Sequence, residues 1–211
     1  MSVKILMKLM IASRNSHKIE EIKAIFQLPS VEWLGLDSFP PVPDVVEDGK
    51  TFDANAVKKA VTLALQFRVW ALADDSGLEV DALAGAPGVY SARYAGEQCD
   101  YAANNTKLLQ ALQGCSERSA RFRCVVALAA PDGRAQLVEG ICAGRITEEV
   151  LGQHGFGYDP VFIPQGYEQT FAEMEPALKN SISHRARALA RARDAWGAML
   201  SQADPVWPLR P

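Results

Sequence analysis

Residues 51–77, TFDANAVKKAVTLALQFRVWALADDSG, decide the fold because one run carries a helix, a buried strand and a pair of acidic side chains. Thr51 is a suitable N-cap, and an apolar stripe follows it at helical spacing. The members of that stripe are Phe52, Ala56, Ala60, Leu63 and Phe67. The apolar residues 69–73 predict a short strand that ends at Asp74. A helix that leads directly into a buried strand is typical of an α/β fold.

The segments before this run continue the alternation of strand and helix. Residues 6–12 are apolar and predict a buried strand. Ser16 is a candidate N-cap for the helix that follows. The inner face of that helix carries Ile19, Ile22 and Phe26. Residues 31–36 predict a second, short strand beside proline-rich connections.

The segments after the run add two helices and a hairpin. Asp100 can cap a third helix, and the last helix begins near Ser183 and ends near residue 201. The inner face of the third helix carries Leu108, Leu109 and Leu112. Residues 122–128 alternate as a strand does, and after a Pro-Asp-Gly turn residues 135–146 return as its partner. The order of elements predicts an α/β fold with a mixed sheet.

The bulk composition excludes several classes of protein. The chain has 211 residues, of which 48% are hydrophobic and 22% charged, and this predicts a single globular domain over residues 1–211. The formal net charge of -3 argues against a general binder of nucleic acid polymers. Lys8 interrupts the apolar N-terminal run, and no segment reaches the length of a membrane span, so neither a signal peptide nor a membrane helix is expected.

The four cysteines predict free thiols. They are Cys99, Cys115, Cys124 and Cys142, and none forms a Cys-x-x-Cys pair or joins a histidine cluster of zinc spacing. Reduced and mostly buried thiols are expected of a cytoplasmic protein.

The first polar segment of interest connects the first strand to the first helix. It consists of Ser13, Arg14, Asn15, Ser16, His17 and Lys18. The start of a helix offers free backbone N–H groups and a positive dipole, which suit a phosphate. The alternative is an ordinary capped turn with a solvated lysine.

Two further segments carry acidic residues. Glu47 precedes the turn into the second helix, where Asn55 and Lys59 lie one turn apart along an edge of the apolar stripe. Glu47 and the adjacent Asp48 could complement the helix dipole or bind a ligand. Asp74 and Asp75 are adjacent at the predicted strand end, where burial is costly unless the carboxylates are paired or bind a metal. An Asx-turn is the alternative for this pair, but two consecutive carboxylates exceed what a turn requires.

The last two segments could bind a flat ligand. The first contains Phe156, Gly157, Tyr158 and Asp159, in which aromatic rings stand beside glycine and a carboxylate. An aromatic turn packed on the core is the alternative. The second segment contains Lys179, His184 and Arg185. Arg185 falls on the inner face of its helix, so its guanidinium needs either an internal carboxylate or a ligand oxygen.

Five motifs in order resemble the inosine/xanthosine triphosphate pyrophosphatase family. They are SRNSHK (13–18), EDGKTFDANAVKKA (47–60), LADDSGLEVDALAGAPGVYSARYAG (72–96), GFGYDPVF (155–162) and KNSISHRARAL (179–189). Three features depart from the family pattern: Arg14 replaces a small residue, residues 151–154 lack an arginine, and Ala177-Leu178 replaces an acidic pair.

The resemblance implies an elongated, twisted mixed sheet with two lobes around a central cleft, and a cytoplasmic homodimer that uses Mg²⁺. The implied reaction is hydrolysis of ITP, dITP or XTP to a monophosphate and pyrophosphate. A related diphosphatase with another base preference is the alternative, and a catalytically silent nucleotide-binding module is a further one.

The resemblance also assigns roles to residues. Ser13 to Lys18 would contact the triphosphate. Glu47 and Asp75 would converge on one metal ion, and Asp75 would also accept a proton. Ser76 would contact the nucleotide. For the mechanism, we expect Lys18, together with Lys59, to offset charge on the departing pyrophosphate. The residues implied at the base and sugar end are Phe156, Gly157, Tyr158, Asp159, Lys179, His184 and Arg185.

Overall fold

The computed structural model describes residues 7–202 and Pro205, which fold into a six-stranded sheet with flanking helices. The strands are β1 (Met7–Ile11), β2 (Val31–Leu34), β3 (Trp70–Val80), β4 (Ser119–Ala129), β5 (Ala135–Ile146) and β6 (Phe162–Pro164). The helices are α1 (Ser16–Ile25), α2 (Phe52–Phe67), α3 (Tyr101–Ala111), α4 (Pro176–Ile182) and α5 (His184–Leu200). The predicted α/β class and mixed sheet are confirmed.

The order of strands across the sheet is β2-β1-β3-β4-β5-β6. β1 runs parallel to β2 and to β3, whereas β5 and β6 are antiparallel. Leu9 of β1 lies opposite Trp33 and Trp70 of its two neighbours. A strand with parallel neighbours on both sides is usually covered on both faces, which explains why the β1 segment is an apolar run rather than an alternating one.

β3 is longer than the sequence predicts. We predicted a strand over residues 69–73 that stops before the aspartates, but β3 continues through Asp74 and Asp75 to Val80. Both carboxylates are buried inside the strand. The prediction was wrong because it assumed that charged residues end a buried strand, whereas these two have cationic partners from other elements.

The helix starts agree with their predicted caps at three of four positions. Thr51 accepts a hydrogen bond from the Ala54 amide, Asp100 accepts from Ala102 and Ala103, and Ser183 accepts from Ala186. The prediction for α1 was wrong by one residue. Asn15 is its N-cap and accepts from the Lys18 amide, which places Ser16 in the first turn.

Two short elements escaped prediction. β6 pairs only three residues of the chain, Phe162–Pro164, with the end of β5. α4 begins at a proline, which suits the first turn of a helix but also reads as a loop in the sequence. Both are too short to produce a periodic pattern, which explains why the sequence did not reveal them.

The chain divides into two compact units. The first contains the chain up to Asp75, Val125–Glu139 and the chain from Ala188 onward, and the second contains Ser76–Cys124 and Gly140–Arg187. The buried core of the second unit includes Phe122, Phe162 and Phe171, whose rings contact one another. The boundary falls inside β3, so one strand supplies residues to both units.

All four cysteines are free thiols, but they are less buried than predicted: Cys124 and Cys142 are buried, Cys115 is partly buried and Cys99 is exposed. Within residues 7–202 and Pro205, no helix combines the length and the apolar character that crossing a membrane requires.

The predicted strand over residues 6–12 corresponds to β1, although residue 6 lies outside the described part of the chain.

Candidate active site

The first unit brings two carboxylates to one ammonium group. Lys59, from the middle of α2, lies 2.9 Å from Glu47 Oε1 and 3.9 Å from Asp75 Oδ1. Its Nζ also donates to the Asp74 carbonyl at 2.8 Å. Glu47 is half-buried in the connection before α2, and Asp75 is buried in β3. Residues from a loop, a helix and a strand therefore build one polar centre.

The pKa of the Asp75 carboxyl is affected in opposite directions by burial and by nearby charges. Burial raises the pKa of its carboxyl above the ordinary value, and the ammonium groups of Lys59 and Lys18 oppose that rise. The negative charge of Glu47 raises the pKa further, while a hydrogen bond from Asn55 lowers it. A buried carboxylate with a raised pKa and neighbouring ammonium groups that favour its charged form is suited to bind a metal ion or to accept a proton.

Lys18 joins this centre from α1. Its Nζ lies 3.3 Å from Asp74 Oδ2, and its side chain is largely buried. Successive strand residues point to opposite faces, so Asp74 and Asp75 can be served by lysines from different helices. Lys18 and Lys59 together place two positive charges beside the aspartate pair.

The other residues of the first polar segment have different surroundings. Ser13 Oγ accepts a hydrogen bond from the Asn15 amide, and Asn15 caps α1. Ser16 and His17 are exposed in the first turn of the helix. Arg14 extends away from the helix start, donating to the Asp44 carboxylate at 2.5 Å and to the Val42 carbonyl at 2.8 Å. Arg14 thereby contacts the loop that leads toward Glu47.

The second unit carries the aromatic loop. Asp159 is buried, and its Oδ2 accepts from the Phe156 amide at 2.8 Å and from Lys179 Nζ at 2.5 Å. Lys179 Nζ also lies 4.9 Å from the centre of the Phe156 ring. Gly155 is required here, because a Cβ at that position would stand 2.0 Å from Asp159 Oδ2. Asp159 therefore holds the loop and Lys179 together.

Arg185 and Ser76 complete this group. Arg185 is 1% exposed, donates to Ser76 Oγ at 2.9 Å, and has its guanidinium carbon 5.8 Å from the centre of the Phe156 ring. His184 is buried with its ring stacked on Phe122, at 4.6 Å between centroids and 11° between planes. Of the residues predicted for the base and sugar end, Phe156, Asp159, Lys179 and Arg185 are linked by direct contacts, and Ser76, predicted to contact the nucleotide, joins them through Arg185.

Tyr158 has a different environment from Phe156. Its side chain is buried, and its hydroxyl donates to the Ser91 carbonyl at 2.9 Å. Burial raises the pKa of the phenol, so it remains protonated and a hydrogen-bond donor at neutral pH. This arrangement anchors the aromatic loop to the segment that follows β3.

We expect Tyr158→Phe to lower the free energy of unfolding by about 1–2 kcal/mol, because a buried carbonyl loses a donor. Tyr90→Phe is the matched control. Tyr90 is 57% exposed, so its hydroxyl can form hydrogen bonds with water. Urea denaturation of the two variants measures the difference. Equal stabilities for both variants and the unmodified chain would contradict the anchoring role.

Two contacts of α3 were not predicted. Asn105 is buried and donates from Nδ2 to the Gly157 carbonyl at 3.0 Å. One turn earlier, the Tyr101 ring lies 6.1 Å from the Phe156 ring. The buried position of Asn105 could have been predicted from the sequence, because Asn105 lies on the same apolar helix face as Leu108 and Leu112. A polar residue at such a position usually has a specific partner.

In residues 7–202 and Pro205, no three side chains of His, Cys, Asp or Glu cluster as a preformed metal centre. A hard cation held by one or two carboxylates together with ligand oxygens remains compatible, and that is the usual mode for Mg²⁺.

Comparison with known proteins identifies the family of this chain. Residues 9–195 match the Ham1 family. A dITP/XTP pyrophosphatase of Desulforamulus reducens is 51% identical over 190 residues, which cover 89% of this chain and 94% of the relative. A dITP/XTP pyrophosphatase of Shouchella clausii is 45% identical over 203 residues, covering 95% and 98% of the two chains.

Solved structures give the same result. The Staphylococcus aureus Ham1 protein matches with a TM-score of 0.83 and 39% identity, covering 90% of this chain and 98% of that one. A HAM1 protein from Coxiella burnetii matches with a TM-score of 0.85 and 39% identity, covering 92% and 100%. The resemblance predicted from the five motifs is confirmed by the names of these relatives. The chain therefore belongs to the Ham1 family.

Proposed function

We propose that this protein is a nucleoside triphosphate pyrophosphatase that hydrolyses dITP, ITP and XTP to the monophosphate and pyrophosphate. Curated relatives named dITP/XTP pyrophosphatase, about half identical to this chain, support the activity and the substrate class. The observation that carries the proposal is the approach of Glu47 and Asp75 to one cation, Lys59, with Lys18 close to the neighbouring Asp74. This centre has the charges that a metal-bound triphosphate needs.

We propose magnesium as the metal, held by Glu47 and Asp75. The enzyme class is generally metal-dependent, and oxygen-only ligands favour Mg²⁺ over softer metals. The Lys59 ammonium acts as a stand-in cation, since it already lies within 4 Å of an oxygen of each carboxylate. Mg²⁺ would supply neutralisation of phosphate charge and a lowered pKa for a bound water.

The chain's own residues would perform the remaining tasks at the triphosphate. Lys18 and Lys59 would offset charge on the departing pyrophosphate. The free N–H groups at the start of α1, within Ser13 to Lys18, would bind phosphate oxygens. Asp75, whose pKa is raised by burial, would accept a proton from the attacking water. Little covalent chemistry falls to the protein in such a reaction, so positioning dominates.

The second unit would bind the base and sugar. The Phe156 ring offers a stacking surface for a purine. Ser76 accepts a hydrogen bond from Arg185 and would contact the nucleotide. Arg185 or His184 would donate to the 6-oxo oxygen, and Asp159 or a loop carbonyl would accept from N1–H.

The assembly and location are further parts of the proposal. By its family resemblance we propose that the protein is a homodimer, which light scattering of the purified chain tests directly. We propose a cytoplasmic location, which its free thiols and a substrate drawn from the nucleotide pool support.

The activity is tested by incubating the purified protein with ITP, dITP, XTP, GTP, ATP and the pyrimidine triphosphates, with and without Mg²⁺. We expect Mg²⁺-dependent release of pyrophosphate and monophosphate from ITP, dITP and XTP. Chelation with EDTA is expected to abolish turnover, and added Mg²⁺ to restore it. Release of single phosphates, preference for a pyrimidine, or binding without hydrolysis would each contradict the proposal.

A further inference from the structure

Asn55 connects the two segments that carry the proposed metal ligands. It lies in α2, is 1% exposed, and uses both ends of its side-chain amide. Its Nδ2 donates to Asp75 Oδ2 at 3.0 Å, and its Oδ1 accepts from the Gly49 amide at 2.8 Å. Gly49 follows Glu47 by two residues, so this one side chain bridges the Glu47 loop and β3.

The direction of these hydrogen bonds is fixed by chemistry. A backbone N–H can only donate, so the amide oxygen of Asn55 must face Gly49. The NH₂ group must then face Asp75, where it engages Oδ2. Asp75 Oδ1 lies 3.9 Å from the Lys59 ammonium, so this oxygen already faces a cation. Asn55 thereby selects which carboxylate oxygen of Asp75 faces the proposed metal.

The lack of a side chain at Gly49 makes this bridge possible. A Cβ at Gly49 would stand 2.5 Å from Asn55 Oδ1 and 2.9 Å from Ala54 Cβ. Only glycine therefore allows the loop to approach α2 closely enough for the Gly49 amide to reach the asparagine. The loop with Glu47 is consequently docked on the helix by a backbone contact that does not depend on charge.

Lys59, one helical turn beyond Asn55, makes the same connection with a charged group. A divalent cation bound by Glu47 and Asp75 would repel this ammonium, and the flexible lysine side chain can move away. Asn55 is neutral and rigidly held, so its bridge persists when the cation arrives. The neutral bridge is the one able to maintain the spacing of the two carboxylates.

We infer that Asn55 is a positioning residue for the metal site: it sets the orientation of Asp75 and the place of the Glu47 loop for one divalent cation. This inference rests on the proposed function, because it needs a metal at these carboxylates. Loss of groups that orient metal ligands typically weakens metal affinity by about 10–100-fold. Asn55→Ala removes both hydrogen bonds while leaving Glu47, Asp75 and Lys59 in the chain.

The test measures Mn²⁺ binding by electron paramagnetic resonance, with Mn²⁺ alone as the probe, and the Mg²⁺ dependence of turnover at saturating ITP. We expect Asn55→Ala to raise the Mn²⁺ Kd and the half-saturating Mg²⁺ concentration by about tenfold or more. Excess Mg²⁺ should restore a large part of kcat. Recovery of this kind separates positioning of the metal from a general loss of folded protein.

Asn104→Ala is the matched control. Asn104 is also a buried asparagine, and its amide group bonds the Ala92 carbonyl and the Ala95 amide, away from the acidic centre. We expect this variant to lose stability but to keep the Mn²⁺ Kd within about twofold of the unmodified chain. A change in Kd equal to that of Asn55→Ala would overturn the inference.

Gly49→Ala provides a second test that retains every side chain of the site. The added methyl group would push the loop from Asn55, and we expect the Mn²⁺ affinity to fall in the same direction. It decides the question if Asn55→Ala fails to fold. Normal Mn²⁺ binding in a folded Asn55 or Gly49 variant would refute the positioning role alone. An unmodified chain that neither binds Mn²⁺ nor hydrolyses ITP would refute the proposed function as well.

Discussion

Replacing Asp75 with asparagine is expected to lower kcat for ITP by about 10²-fold or more. The substitution preserves the size of the side chain, and its amide oxygen can still accept the hydrogen bond from Asn55. It removes the negative charge that faces Lys59 and Lys18, and with it the proposed metal ligand and proton acceptor. Steady-state pyrophosphate release at saturating Mg²⁺ and ITP measures the effect.

Asp132→Asn is the control for this prediction. Asp132 lies in the turn between β4 and β5, pairs with Arg134 and is 51% exposed. Its neutralisation should leave kcat unchanged, since a surface ion pair of this kind contributes little. Turnover by Asp75→Asn within about threefold of the unmodified protein would remove both assigned roles of Asp75. A large loss in the unrelated Asp132 variant would point to a nonspecific charge effect.

The acidic centre illustrates what the sequence could predict. Two adjacent aspartates in an apolar segment indicated that a partner or a metal was needed, and the structure supplies Lys18 and Lys59 as partners. The sequence could not identify these lysines as the partners, because they come from different helices. It therefore placed the end of β3 too early, whereas tertiary ion pairs allow the strand to continue to Val80.

In the second unit, too, the need for a partner could be predicted from the sequence, but a partner distant in sequence could not be identified. The position of Arg185 on a buried helix face predicted that its guanidinium needs a partner, but Ser76 lies more than a hundred residues earlier in the chain. Helix caps such as Thr51 and Asp100 were predictable, since each bonds amides within its own first turn. Hydrogen bonds between residues close in sequence can be predicted from a sequence pattern. For contacts between distant residues, the sequence shows only that one residue needs a partner and does not identify that partner.

Discrimination between ITP and ATP is expected to be large, with kcat/KM for ATP lower by about 10³-fold or more. Lys179 and Arg185 both lie beside the Phe156 ring, and their side chains can only donate hydrogen bonds. A 6-oxo purine presents an acceptor at O6, which suits such donors. Adenine presents an amino group there and an acceptor at N1, so the buried donors would face another donor.

Phe156→Leu separates reading of the purine edge from stacking on its face. Loss of the ring should weaken binding of every purine by a similar factor, because each base has the same kind of face to stack. The ratio of kcat/KM for ITP to that for ATP should therefore change little in this variant, while both values fall. Values of kcat/KM for ITP and ATP within tenfold of each other in the unmodified protein would contradict recognition of the 6-oxo group. A ratio that collapses in Phe156→Leu would instead assign the discrimination to the aromatic ring.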